Sequence, residues 1–182
     1  MTAPDLDAWL PEASLRVSHR RASRASPDEL WAAAMRVRLA DTGLLGRLVR
    51  WRIPGLARNE GFDALFREQP FIVLQDGDRA VVSGLVGRIW TLRRDYPELT
   101  GADEFRAWAR RGTARVVFAN WVTPTDDGGS ELCSEVRVQA FGVQGRVGLA
   151  AVRPLVSRFQ GLVGSEGLDA AVRLAEAPDS ER

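Results

Sequence analysis

The sequence predicts an α+β domain in which an antiparallel sheet precedes a long carboxy-terminal helix. Three observations predict it. A helix start, "SPDELW" at 26–31, directly follows an alternating stretch; two pairs of extended runs fold back at "DGD" and "TDDGG"; and apolar residues recur at helical spacing over 146–176.

The elements follow in order. "LRVSHRRASR" at 15–24 places Leu15, Val17 and His19 on one face and Arg16, Ser18 and Arg20 on the other, the period of a strand with one covered face. Ser26 suits an N-cap, Pro27 the first helical position, and Asp28 and Glu29 the positive end of a helix dipole. Leu30, Ala33, Ala34 and Val37 supply that helix with a buried stripe. "GLLGRLVRWRIPG" at 43–55 predicts a second short helix ending at Pro54 and Gly55.

From about residue 62 the period becomes extended. "FDALFREQPFIVLQ" and "RAVVSGLVGRIWTL" predict a hairpin around Asp76-Gly77-Asp78. Gly84 and Gly87 fit neither a GxGxxG nor a GxxxxGK phosphate loop, so they predict a bent strand, or room for a close approach to its backbone. "GADEFRAWARRG" predicts a small helix or loop, and "TARVVFANWVTP" with "SELCSEVRVQAFG" a second hairpin around 125–129. In the final helix Leu149, Val152, Val156, Phe159, Val163, Leu168, Val172 and Leu174 are the apolar candidates. Pro154 predicts a break, and Gly161, Gly164 and Gly167 a kink or close contact.

Composition narrows the function. All 25 basic side chains are arginine, which excludes Schiff-base chemistry, a P-loop lysine and a lysine nucleophile, each of which needs a primary amine. With Cys133 and His19 the only residues of their kinds, no intrachain disulfide forms and any metal site would need carboxylates, so no metal and no cofactor are expected. A net charge of +1 gives no global reason to expect nucleic acid, and no run suits stable membrane insertion. The acidic start "MTAPDLDAWLPEA" predicts no export signal and hence a cytoplasmic protein, monomeric or homodimeric. Residues 36–58 hold six arginines against Asp41, which suits a solvated helical pair better than a binding surface. "VGSEG" at 163–167 lacks the first glycine of a nucleophile elbow, so a serine hydrolase is not indicated.

Taken together, "SHRRASRASPDELWAAA", "GLVGRIW", "EFRAWARRGTARVVFANW" and "GGSELCSEVRVQAFG" resemble the START-like SRPBCC superfamily, the helix-grip fold of Bet v 1-type proteins and of the polyketide cyclase/dehydrase and lipid-transport group. The resemblance covers most of residues 15–176. It implies a curved antiparallel sheet wrapped around the last helix with two short helices after the first strand. It also implies a domain at 14–177 between an amino-terminal extension, 1–13, and a tail, 178–182. By the same likeness the enclosed space holds a small hydrophobic molecule, lipid- or polyketide-like; the alternatives are a polyketide cyclase/aromatase-like enzyme and an interaction module without a ligand.

Strand parity and this likeness select the candidate residues. His19, on the apolar face, suits a hydrogen-bonded core histidine, or alternatively a general acid or base. Glu135 is the second catalytic candidate; with Arg137 it shares a strand face with Glu131 and Gln139, as cavity anchors or as a surface ion pair. Asn120 shares parity with Val116, Phe118 and Val122, to orient a ligand or to satisfy a neighbouring backbone. Trp90, Phe118 and Phe159 are the expected apolar lining, with Trp31 a further core aromatic. A Cys133–His19 thiolate pair lacks a group to acidify the thiol.

Overall fold

The computed structural model describes residues 3–44, 47, 61–91 and 96–177. Strand β1 (Leu15–Ser23) alternates in burial, with the Leu15, Val17, His19 side inward, as its sequence period requires. It hands over at Ser26 to helix α1 (Pro27–Arg36). There the Ser26 hydroxyl accepts from the Glu29 N–H while the Glu29 carboxylate accepts from the Ser26 N–H, a reciprocal capping box. Leu30 and Ala33, on the predicted stripe, are fully buried. The second predicted short helix, 43–55, lies mostly outside the described residues.

Residues 62–75 were expected to be extended throughout, and here the structure differs. Phe62–Arg67 is a short helix, α2, and the strand begins only at β2 (Ile72–Gly77). The reason is packing: Phe66, Phe71 and Phe118 make an aromatic trio with ring centroids 5.2–5.4 Å apart, and a helical turn followed by a loop brings the first two onto the third. The hairpin with β3 (Ala80–Gly87) forms as predicted, but it pairs Gly77 with Ala80, so the turn is Asp78–Arg79 and Gly77 keeps a negative φ. Helix α3 (Ala102–Ala107) leads into β4 (Ala114–Pro124) and β5 (Ser130–Ala140), joined by the expected turn with Gly128 at φ +85°.

The five strands form one antiparallel sheet in the order β1-β5-β4-β3-β2, so the first strand closes against the last. The last helix runs as α4 (Gly142–Leu162), a π turn at Val163–Gly167, and α5 (Leu168–Glu176). This is the α+β helix-grip architecture. The break expected at Pro154 is absent: Pro154 stands on the exposed side of a continuous helix, one turn after the equally exposed Ala150, whose carbonyl it leaves without its helical partner. The interruption falls instead on the glycine-bearing "VGSEG" segment, where weak helix propensity yields to a wider turn.

Both sheet faces are covered. The concave face carries Val116, Phe118, Val122, Leu132, Val136 and Val138 toward α1, α4 and α5. The convex face carries Val82, Val86, Val117, Ala119, Trp121 and Cys133, and is covered by Phe105 of α3 and by Leu6, Trp9 and Leu10 from the amino-terminal segment. Within the amino-terminal extension, 1–13, Leu6, Trp9 and Leu10 are all buried.

Candidate functional site

The alternation of β1, β4 and β5 delivers a row of polar side chains to the concave face. His19 pairs with Ser134, and Ser134 with Asn120, so the three stand side by side across adjacent strands, with Val81 of β3 continuing the row. Strands about 4.8 Å apart put His19 and Asn120 about 10 Å from each other, with Ser134 between them. The next row is Val17, Val136, Phe118 and Ser83. Two polar atoms on this face are buried without a hydrogen-bond partner, His19 Nε2 and Ser83 Oγ.

The same face is unevenly filled. Val116 and Val122 on central strand β4 are buried, but Phe118 and Asn120 between them are only half-buried, as are Val17 and His19 on β1. A helix seated squarely on the middle of a sheet excludes solvent from the central strand. Phe118 and Asn120 instead keep partial exposure beneath it. Above Phe118 are Leu149, Val152 and Val156 of α4, in one apolar cluster with Val17, Phe71 and Phe118.

Among the predicted residues, His19, Phe118 and Asn120 are brought together. Trp90 lies farther along, its indole flat against Gly148 of α4, where even a methyl group would fall inside the ring. It closes the end of the grip formed by Leu85, Val116 and Leu149. Phe159 is on α4, but its side chain lies outside the described residues. Trp31 packs against the cluster of α1 and α5.

Glu135 and Arg137 are not on this face. They point from β5 to the convex face, because Ser134 and Val136 occupy the concave one. Arg137, almost wholly buried, donates to Glu135 at 2.6 Å and to Asp7 of the amino-terminal segment at 2.6 Å. Arg16 stands directly opposite Arg137 in register, and Asp7 accepts from it as well at 3.2 Å. Arg137, with a smaller contribution from Arg16, holds the Asp7 carboxyl below its ordinary range. These groups clamp the segment rather than face a ligand, so the two catalytic candidates, His19 and Glu135, lie on opposite faces of the sheet. Cys133 is also on the convex side, away from His19; burial, then the nearby Glu131, pushes its thiol up to about 12, which keeps it protonated and inert.

Sequence reasoning missed Ser83 and Ser134. Each is a small polar residue on the inward parity of an apolar strand, and that was the available signal. Among the described residues no three His, Cys, Asp or Glu side chains gather as around a metal ion. A recess of about 290 Å³, lined by Val37, Asp41, Ala170, Arg173, Leu174 and Ala177, lies between α1 and α5 and includes none of the row. No helix among the described residues is long and apolar enough to cross a membrane.

Burial, and secondarily the charge of Arg21, lowers the His19 pKa from its ordinary 6.5. The unfolded chain therefore takes up a proton as pH falls through 6.5, while the folded chain does so only at lower pH. Stability present above that pH is lost on acidification. Thermal melts at neutral pH and near pH 5 are expected to show a larger loss for the native chain than for His19→Gln, by a few degrees in Tm; equal losses would contradict the assignment.

No family model matches the chain, and none of the curated proteins does. Among solved structures it is similar to the hypothetical protein jhp0584 from Helicobacter pylori, with 12% identity, 97% of each chain covered and a TM-score of 0.45. It is similar to the Zhui aromatase/cyclase from Streptomyces sp. R1128, with 13% identity, 90% of this chain and 96% of that one covered, and a TM-score of 0.37. It is also similar to Ara h 8.0201, with 12% identity, coverage of 88% and 97%, and a TM-score of 0.29.

Proposed function

We propose that the chain is a START-like protein of the SRPBCC type that binds a small hydrophobic molecule, lipid- or polyketide-like, between the concave face of its sheet and α4. The observation that supports this most strongly is the half-burial of Phe118 and Asn120 on the central strand beneath a long helix. Apolar walls from Val17, Phe118, Val152 and Val156 supply affinity, at about 25 cal/mol per Å² of ligand surface removed from water. His19, Ser134 and Asn120 supply orientation. A ligand hydroxyl or carbonyl reaching them satisfies the unpartnered His19 Nε2, which is otherwise a desolvated polar atom without compensation. Binding rather than proton transfer is favoured because Glu135, the carboxylate candidate, faces the other side of the sheet from His19.

Native mass spectrometry of freshly purified protein, together with titration by Nile red, tests this reading. A retained small molecule, or probe binding that Val17→Trp weakens by at least about tenfold, is the expected result; a filled pocket discriminates against its ligand by that order. Clean apo protein with no probe response, or binding that Val17→Trp leaves unchanged, would overturn it.

A further inference from the structure

The outward side of α4 departs from what a helix on the surface of a globular domain requires. Such a helix keeps its solvent face polar. Here Val143, Val147 and Leu155 are 69%, 64% and 62% exposed, and Ala150, Ala151 and Pro154 between them are exposed as well. At 100° per residue Val143, Val147, Ala150 and Pro154 fall along one line of the helix, opposite the buried Leu149 and half-buried Val152. The charged residues of 142–162 are Arg146, Arg153 and Arg158; all three are exposed, and the segment contains no Asp or Glu.

We propose that this face of α4 docks on an anionic lipid surface. An apolar stripe flanked by arginines and free of acids is the composition of a helix that lies in the plane of a membrane interface. The aliphatic side chains enter the headgroup boundary and the guanidinium groups meet lipid phosphates and carboxylates. The charge pattern selects this occupant. A second copy of the chain in a two-fold pairing would bring this arginine-bearing face against the same face, with no acid from 142–162 on either side to neutralise it. A nucleic acid would be met through arginines and stacking aromatics, whereas aliphatic side chains exposed by more than 60% contribute nothing to such a contact. The inference stands on the outer face of α4 and is independent of what the inner face encloses.

The test is co-sedimentation of the full chain with vesicles of phosphatidylcholine alone and of three-to-one phosphatidylcholine to phosphatidylserine, at low and high salt. Two variants accompany it, R146Q/R153Q/R158Q and V143S/V147S/L155S, with circular dichroism to verify folding; all six positions are exposed, so neither set opens the core. Binding to the mixed vesicles is expected to exceed binding to the neutral ones and to weaken in high salt. It is expected to fall about 100-fold in the arginine variant, at roughly fivefold for each basic residue near the surface, and measurably in the aliphatic one. Failure to pellet, equal pelleting with both vesicle types, or indifference to the aliphatic set would overturn the proposal. So would tighter retention on duplex DNA than on the mixed vesicles at the same salt, or a dimer in sedimentation velocity that V143S/V147S/L155S dissociates.

Discussion

Phe105→Ala is expected to lower the stability of the fold by about 3–5 kcal/mol, seen as a fall in Tm of roughly 6–20 °C. Phe105 is fully buried at the centre of the convex-face cluster, although it belongs to a helix of only six residues. Two features make the site close-fitting. Arg115 of β4 reaches across and donates to the carbonyls of Phe105 and Arg106 at 3.3 and 2.5 Å, so the end of α3 is held against the sheet. Beneath the ring lies Gly84: a Cβ added there would come within 2.8 Å of Phe105 and 2.9 Å of Leu74. The glycine thus makes room for the phenyl group. Gly84→Ala alone is expected to destabilise by about 1–3 kcal/mol through overpacking. Combined with Phe105→Leu it is expected to cost less than the sum of the two single changes, because the smaller side chain yields the space that the methyl needs. Strict additivity in a double-mutant cycle would show that Gly84 has some other role.

Gly84 also shows how far the sequence could be read. The glycines of "VVSGLVGRIW" predict a bent strand or a close approach to its backbone; at Gly84 a close approach is what forms, but nothing in the stretch says from which side, and Phe105 arrives on the convex one. Elements whose signal is local were legible. Ser26, Pro27 and Glu29 specify the start of α1 through bonds within four residues, and the β4–β5 hairpin follows from alternation and Gly128. Where the outcome depends on distant partners the reading failed. Phe62–Arg67 is helical because a helical turn brings the Phe66 ring onto Phe118, more than fifty residues away in sequence. Alternation on β5 separated Glu135 and Arg137 from Ser134 and Val136, but a period of two does not say which set faces the helix when both faces are covered. The residue that settles it is Asp7, 130 positions from Arg137. His19, Phe118 and Asn120 face the helix, as their parity predicts, because each sits among aliphatic neighbours of that parity.

The amino-terminal segment yields the other large effect. Leu10→Ala is expected to cost about 2–5 kcal/mol, although Leu10 precedes the first strand and belongs to no helix or strand. Leu10 has no exposed surface; Leu6 and Trp9 are nearly as buried, and all three share a cluster with Val117, Ala119 and Trp121 of the central strand. The Trp9 ring lies 4.0 Å beneath the Arg106 guanidinium, which joins the segment to α3, while Asp7 bridges Arg16 and Arg137. Exposed carboxylates of this kind contribute little to stability by themselves; their effect is to fix where the segment lies. The aliphatic contacts therefore carry the energy, and Asp7→Asn is expected to lower Tm far less than Leu10→Ala. Limited proteolysis separates this arrangement from a loosely attached tail. Cleavage before Ser14 is expected to be slow in the native chain and fast in Leu10→Ala, since an opened segment is cut in proportion to the population of its open form. A Tm that Leu10→Ala leaves unmoved, with residues 1–13 removed at once from the native chain, would mean that the convex face does not depend on this cover.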